Sequence, residues 1–150
     1  QGKSFNDVVK CYQTYKWLGY TKIAFSYGAS YYNDICKHPN KDWGKAIGRL
    51  SVICNMIDMG LIGITDKIHL LGCSLPQEFL YYKDIKQIKS IDTSNPVMAA
   101  FDGTTYHPNN GLDSKPKTKI DEVMNLPFDS NILEKIEYNT TYFKLLNNIL

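Results

Sequence analysis

Residues 67–92 read KIHLLGCSLPQEFLYYKDIKQIKSID, and this stretch decides the fold. The apolar runs 67–72 and 88–92 each have the length and composition of a short buried strand. Between them, Ser74 and Pro76 open a helical segment. A strand, a helix and a second strand in this order predict a βαβ unit with parallel strands.

The same alternation continues toward the amino terminus. Apolar residues recur at helical spacing over 5–18, which predicts an amphipathic helix that begins after Ser4. Residues 22–26 predict another short strand, and 41–59 predict a long helix. The chain is therefore predicted to be an α/β protein with a parallel sheet.

Small or polar residues follow each predicted strand. Because right-handed crossovers place the carboxyl ends of parallel strands at one edge, we expect these residues to lie together there. The segments are Ser26-Tyr27-Gly28, Leu71-Gly72-Cys73 and Asp92-Thr93-Ser94.

The pattern changes after Asp92. Residues 97–117 are rich in Pro, Gly and Asn and predict a long loop. Residues 118–150 predict helices that cover the sheet at its carboxyl-terminal end. The 150 residues are expected to form a single domain.

The composition is that of a globular protein, with 43% hydrophobic and 21% charged residues. No apolar run is long enough to span a membrane, and no secretion signal opens the chain, so we expect a cytoplasmic protein. The four cysteines are scattered, which predicts free thiols and no metal site. Sixteen of the seventeen basic residues are Lys, so any phosphate contact is expected to come from Lys rather than from Arg49.

Asp92 is the strongest candidate for chemistry. A carboxylate at the last position of an apolar parallel strand projects into the region where such folds react, where it can act as a nucleophile or a base. The alternative is that Asp92 caps a turn or pairs with a Lys. Asp102 is interpreted as a turn residue, and His69 as a packed or supporting histidine.

Short segments in order along the chain resemble the queuine tRNA-ribosyltransferase family, which comprises tRNA-guanine and DNA-guanine transglycosylases. The resemblance covers about residues 1–96. The segments are Gln1-Gly2-Lys3-Ser4, Leu18-Gly19-Tyr20 with Ala24-Phe25-Ser26-Tyr27-Gly28, Leu70-Leu71-Gly72 with Pro76 and Glu78, and Ser90-Ile91-Asp92 with Pro96.

The resemblance implies the last four βα units of a TIM-type (β/α) barrel, followed by the helical cover. It also implies a pentosyltransferase in which Asp92 is the nucleophile and guanine in DNA or tRNA is replaced by a 7-deazaguanine through a covalent glycosyl-aspartate. The implied substrate-binding residues are Gln1, Gly2, Ser26, Tyr27, Gly28, Leu71 and Gly72. No cofactor is implied.

The chain departs from the family after the nucleophile. The zinc-binding cysteines and histidine of the family are absent from 97–150, and Val97-Met98-Ala99 stands where the family has arginines. Together with the Arg-poor composition, the missing zinc ligands favour a phage-type relative that modifies DNA, which would act in the host cytoplasm.

The family's second catalytic aspartate belongs to the first half of the barrel. We therefore expect this chain to pair with that half or with a second copy of itself. Two alternatives stay open. One is a non-catalytic partner subunit that keeps the barrel, and the other is an unrelated (β/α)-barrel enzyme that holds a phosphorylated small molecule at Gly28 and Gly72.

Overall fold

The computed structural model describes residues 2–147, which form a mixed α/β fold around a three-stranded parallel sheet. The elements in chain order are α1 (Phe5–Trp17), β1 (Lys22–Ser26), α2 (Tyr32–Ile35), α3 (Lys41–Asp58), β2 (Lys67–Leu71), a 3₁₀ helix (Pro76–Tyr82), β3 (Ile88–Asp92), α4 (Asn95–Phe101), α5 (Ile120–Val123) and α6 (Ser130–Leu146). None of the helices in this part of the chain is long and apolar enough to cross a bilayer.

The three strands lie side by side in sequence order, β1-β2-β3. Their last residues are in register, because Ser26 pairs with Leu71 and Leu71 pairs with Asp92. The predicted α/β class and the predicted common carboxyl edge are therefore confirmed. A closed barrel stays a prediction.

One face of the sheet packs against α1 and α3 to form the main hydrophobic core. Alternate residues of β1 and β2 point to this face because successive side chains of a strand alternate between its two sides. Burying each of these large apolar side chains contributes about 1.5–3 kcal/mol to folding. The packed residues are Ile23, Phe25, Ile68 and Leu70 of the sheet, Val8 and Tyr12 of α1, and Val52, Ile53 and Met56 of α3.

The opposite face of the sheet is partly exposed, and most of its side chains are polar. We call it the open face. Leu71 is 43% exposed, although it is a large apolar residue. The face consists of Lys22, Ala24, Ser26, Lys67, His69, Leu71, Ser90 and Asp92, all partly or largely exposed.

At two of its glycines, the long helix α3 packs closely against the segment that follows β1. A Cβ on Gly48 would lie 2.2 Å from the carbonyl oxygen of Tyr32 in α2, and one on Gly44 would lie 2.9 Å from the carbonyl oxygen of Cys36. Because backbone cannot move aside as a flexible side chain can, only glycine allows this approach. The close packing fixes the segment that follows the β1 end.

Asp66 lies just before β2 and links the amino-terminal end of that strand to α1. Its Oδ2 accepts hydrogen bonds from the Tyr12 hydroxyl at 2.7 Å and from the Gly63 amide at 2.9 Å, and its Oδ1 pairs with Lys16. Burial alone would raise the pKa of the Asp66 carboxyl. These hydrogen bonds outweigh burial, so the pKa lies below its ordinary value.

We expect Asp66→Asn to lower the free energy of unfolding by about 2 kcal/mol near neutral pH, because hydrogen bonds to the ionised carboxylate are lost. A depressed folded-state pKa contributes stability above the unfolded pKa of about 3.9, and this stability is lost as the pH falls through the folded pKa. The gap between wild type and variant should therefore shrink below about pH 4. Urea denaturation across this range checks it, with the exposed Asp58→Asn as control. A gap that stays constant down to pH 3 would contradict this account of Asp66.

The carboxyl-terminal helices pack at the end of the sheet near α4 and the 3₁₀ helix. Asn139 of α6 is fully buried, and its Nδ2 donates to the carbonyl oxygens of Pro96 at 3.1 Å and Thr104 at 3.0 Å. Its Oδ1 accepts from the Tyr106 amide at 2.8 Å. One side chain of α6 thus holds both α4 and the loop that follows it.

Two predicted segments differ from the structure. The predicted loop 97–117 begins later, because Pro96 stands at the first turn of α4, where its missing N–H costs nothing. Burial of Met98, Ala99 and Ala100 supplies the stability of that helix. The helical segment that begins at Pro76 is a 3₁₀ helix.

The first of the four predicted βα units has no strand in the described residues. Gly2, Lys3 and Ser4 are not in a strand, and Ser4 instead caps α1 by accepting a hydrogen bond from the Asp7 amide. The structure therefore shows three of the four predicted strands.

Candidate active site

Three of the predicted site residues form a row across the open face. Ser26, Leu71 and Asp92 end their strands in register, so their side chains lie side by side at the carboxyl edge of the sheet. Adjacent strands are about 4.8 Å apart, which makes the row about 10 Å wide. A hydroxyl, an exposed apolar side chain and a carboxylate are thus presented together.

The Asp92 carboxylate is accessible and oriented. Its Oδ1 accepts a hydrogen bond from the Gly72 amide at 2.8 Å, and its side chain is 53% exposed. Its Oδ2 lies 3.4 Å from Nε2 of His69. No Lys is paired with Asp92 among residues 2–147. The predicted alternative of a lysine pair is therefore absent from this part of the chain, and the carboxylate stays available.

His69 joins Asp92 to a second hydroxyl. Its Nδ1 lies 2.8 Å from Oγ of Ser90, which in turn lies 3.4 Å from Nζ of Lys22. The sequence predicts a packed or supporting histidine here, and the structure identifies Asp92 as the residue it contacts. The strand alternation carries that signal, because His69 precedes Leu71 by two residues and so shares its face.

Gly72 and Tyr27 form the turn beside the row. Gly72 has a φ of +67°, and a Cβ there would lie 2.5 Å from Cδ1 of Tyr27. The Tyr27 amide donates to the Leu71 carbonyl at 3.1 Å. Glycine is required at this position both for its backbone conformation and for the close approach of the tyrosine ring.

The other predicted binding residues are not brought to the row. Gly28 is exposed, and its amide donates to Oγ of Ser26 at 3.2 Å. Gly2 packs against Asp7 at the start of α1, and Gln1 lies outside the described residues. The amides of Gly28 and Gly72 are both engaged within the chain, which leaves neither free to hold the phosphate group of the small-molecule alternative.

A buried ion pair holds the ends of the strands that carry Ser26 and Leu71. Arg49 of α3 and Glu78 of the 3₁₀ helix are both fully buried and paired with each other. Arg49 also donates to the carbonyl oxygens of Phe25 at 3.2 Å, Leu71 at 3.3 Å and Gly72 at 3.0 Å. These carbonyls lie at or next to the carboxyl ends of β1 and β2, so the guanidinium ties the two strand ends together.

The charge of Arg49 is secured by its partner. Burial alone would lower the pKa of the guanidinium, but the Glu78 carboxylate outweighs burial and raises that pKa. A side chain with no solvent exposure cannot meet a nucleic-acid phosphate. The expectation that phosphate contacts fall to Lys is therefore supported by the burial of Arg49.

Cys73 stands near Asp92 but is not a nucleophile. It is buried, and its Sγ lies 3.2 Å from Oγ1 of Thr93. Burial raises the pKa of the thiol to about 12, so almost none of it is thiolate at neutral pH. The Asp92 carboxylate, by contrast, is accessible at this edge.

Metal-binding groups do not converge anywhere in residues 2–147, since no three His, Cys, Asp or Glu side chains are placed to hold an ion together. Comparisons with protein-family models, with curated proteins and with solved structures found no match to this chain.

Proposed function

We propose that this chain forms the carboxyl-terminal part of a (β/α) barrel that exchanges guanine in nucleic acid for a 7-deazaguanine base. The observation that carries the proposal is the row of Ser26, Leu71 and Asp92, with the Asp92 carboxylate accessible at the carboxyl edge of a parallel sheet. In barrels of this kind, the chemistry takes place at that edge.

The reaction proceeds in two displacements on the sugar. The target nucleotide is first extruded from its stack, because C1′ is not accessible inside a duplex. A carboxylate oxygen of Asp92 then forms a bond to C1′ as the glycosidic bond to guanine breaks, and the departing base takes up a proton from a second acidic group. The 7-deazaguanine returns a proton from its ring nitrogen to that group, attacks C1′ and releases the Asp92 carboxylate, as in retaining glycoside chemistry.

The neighbours of Asp92 have separate roles in this scheme. Leu71 supplies an apolar surface for the purine ring, and the hydroxyl of Ser26 can bond to its polar edge. The Gly72 amide holds Oδ1 of Asp92, and His69 faces Oδ2 at 3.4 Å. These contacts orient the carboxylate, which is both the attacking group and the leaving group in this scheme.

The open face must be covered for this chemistry to exclude water. β1 and β3 are edge strands of the described sheet. Exposed edges are sites of pairing with further strands. We propose that the first half of the barrel, or a second copy of this chain, covers the face and supplies a second acidic group. The activity is that of a pentosyltransferase, of a phage type that modifies DNA in the host cytoplasm.

The test is a base-exchange assay with the intact protein that contains this chain. Single-stranded DNA, duplex DNA and tRNA are each incubated with radiolabelled guanine, and incorporation of the label is measured. We expect incorporation into at least one of them. Binding of nucleic acid with no incorporation would instead support the non-catalytic partner subunit. If the protein neither binds nucleic acid nor incorporates the label, both of these proposals are ruled out.

A further inference from the structure

The chain after α4 forms a closed loop of residues 103–117 beside the carboxyl edge of the sheet. Asp102 joins the two ends of this loop, because its carboxylate accepts hydrogen bonds from the Lys117 amide at 2.6 Å and the Thr118 amide at 2.9 Å. The predicted turn residue is thus the closing residue of an Ω-type loop.

Further hydrogen bonds hold the loop against the rest of the fold. The side-chain amide of Gln77 donates to the Leu112 carbonyl at 2.6 Å and accepts from the Leu112 amide at 3.1 Å. Asn40 binds the Asp113 carbonyl, and Asp42 accepts from the Lys115 amide at 2.8 Å. The backbone around Lys115 therefore has a defined position relative to α3 and the sheet.

The Lys115 side chain is directed by an aromatic residue. Its Nζ donates to the hydroxyl of Tyr27 at 2.8 Å and lies 4.8 Å from the centre of the Tyr27 ring. A cation over an aromatic face is attracted by the ring's quadrupole. Lys115 takes part in none of the ion pairs found among residues 2–147, so its charge is not neutralised by a carboxylate there.

A continuous set of contacts links this ammonium group to Asp92. The Gly72 amide binds Asp92, the Cα of Gly72 lies against the Tyr27 ring, and the Tyr27 hydroxyl binds Lys115. A cavity of about 60 Å³ lies beside these contacts and is lined in part by Tyr27, Gly72, Thr93 and Lys115. An oriented, unneutralised cation thus lies at the carboxyl edge of the sheet, where Asp92 also lies.

We infer that Lys115 binds a backbone phosphate of the nucleic-acid strand next to the nucleotide that reacts at Asp92. The inference rests on the proposed function. A Lys ammonium is a point charge that binds phosphate oxygens from many directions. Two of its three N–H donors remain for a ligand after the hydrogen bond to Tyr27. The same chemistry would bind free phosphate, and the experiment separates the two sources.

The experiment measures binding rather than exchange. The intact protein is titrated against a fluorescein-labelled single-stranded oligonucleotide by anisotropy, at several salt concentrations between about 50 and 200 mM. Lys115→Gln should weaken binding severalfold and reduce the slope of log K against log salt by about 0.7, the value for one phosphate contact on a single strand. Tyr27→Phe keeps the ring but removes the hydroxyl, and should weaken binding by a smaller factor.

Lys83→Gln is the matched control, because Lys83 is exposed at the far end of the 3₁₀ helix and should leave the slope unchanged. An unchanged slope in Lys115→Gln, or no binding by wild type, would overturn the inference. Binding of inorganic phosphate that depends on Lys115, with oligonucleotide binding unchanged in Lys115→Gln, would also overturn it and assign the site to free phosphate.

Failure of the inference is distinguishable from failure of the proposed function. If the Lys115 slope change is found but no base is exchanged, the phosphate contact holds and the exchange chemistry fails. If exchange occurs and Lys115→Gln binds like wild type, only the phosphate contact fails.

Discussion

Replacing Asp92 with Asn is expected to reduce guanine exchange by at least about 1000-fold, as loss of a covalent nucleophile does in other enzymes. An amide has no negative charge with which to attack C1′, and a neutral side chain of this kind does not form the glycosyl intermediate. Asn has nearly the same shape as Asp, and its Oδ1 can still accept from the Gly72 amide. The fold should therefore be retained.

The comparison needs a control that removes one carboxylate elsewhere. Asp84→Asn serves, because Asp84 is exposed in the turn between the 3₁₀ helix and β3. We expect Asp84→Asn to exchange guanine at the wild-type rate and both variants to unfold at the wild-type urea concentration. Full activity in Asp92→Asn would end the assignment of the nucleophile.

Replacing Glu78 with Ala is expected to lower the free energy of unfolding by about 3–5 kcal/mol. The change leaves Arg49 charged, buried and without its carboxylate partner. It also removes the acceptor for the Ser74 amide, which donates to Oε2 of Glu78 at 3.3 Å. Since small proteins are stable by only about 5–15 kcal/mol, this loss is a large part of the total.

Urea denaturation with the midpoint and slope recorded separately is the measurement. Glu122→Ala removes the carboxylate of an exposed ion pair, in which Nζ of Lys119 lies 3.9 Å from Oε1 of Glu122. This change should lower the free energy of unfolding by less than about 1 kcal/mol. Glu78→Gln keeps the shape of the side chain and should still cost more than Glu122→Ala. A Glu78→Ala midpoint equal to that of wild type would show that the buried pair does not hold the strand ends.

The strands and their common edge were predictable because their signals are local. Each strand is a short apolar run bounded by polar or small residues, and a parallel arrangement follows from the intervening helices. The row of Ser26, Leu71 and Asp92 follows from the strand ends alone if the last residues of the three strands pair with one another. That register is what the structure adds.

Other features depend on contacts that sequence spacing does not encode. Arg49 and Glu78 are 29 residues apart, and nothing in their local sequence indicates that they share a buried site. The Tyr27–Lys115 contact spans 88 residues and requires the loop 103–117 to fold back on the sheet. The α4 helix is not predicted for a different reason. The Pro, Gly and Asn residues of 97–117 indicate a loop, although a proline at a helix start, as at Pro96, is favourable.

The most direct test of the central claim is the mass of the peptide that contains Asp92 after the intact protein is denatured during exchange. The proposed mechanism predicts that this peptide carries the sugar of the substrate strand, bound through the Asp92 carboxylate, and that Asp92→Asn carries none. Exchange that proceeds with an unmodified Asp92 peptide, or with the sugar bound to a different residue, would contradict the proposal.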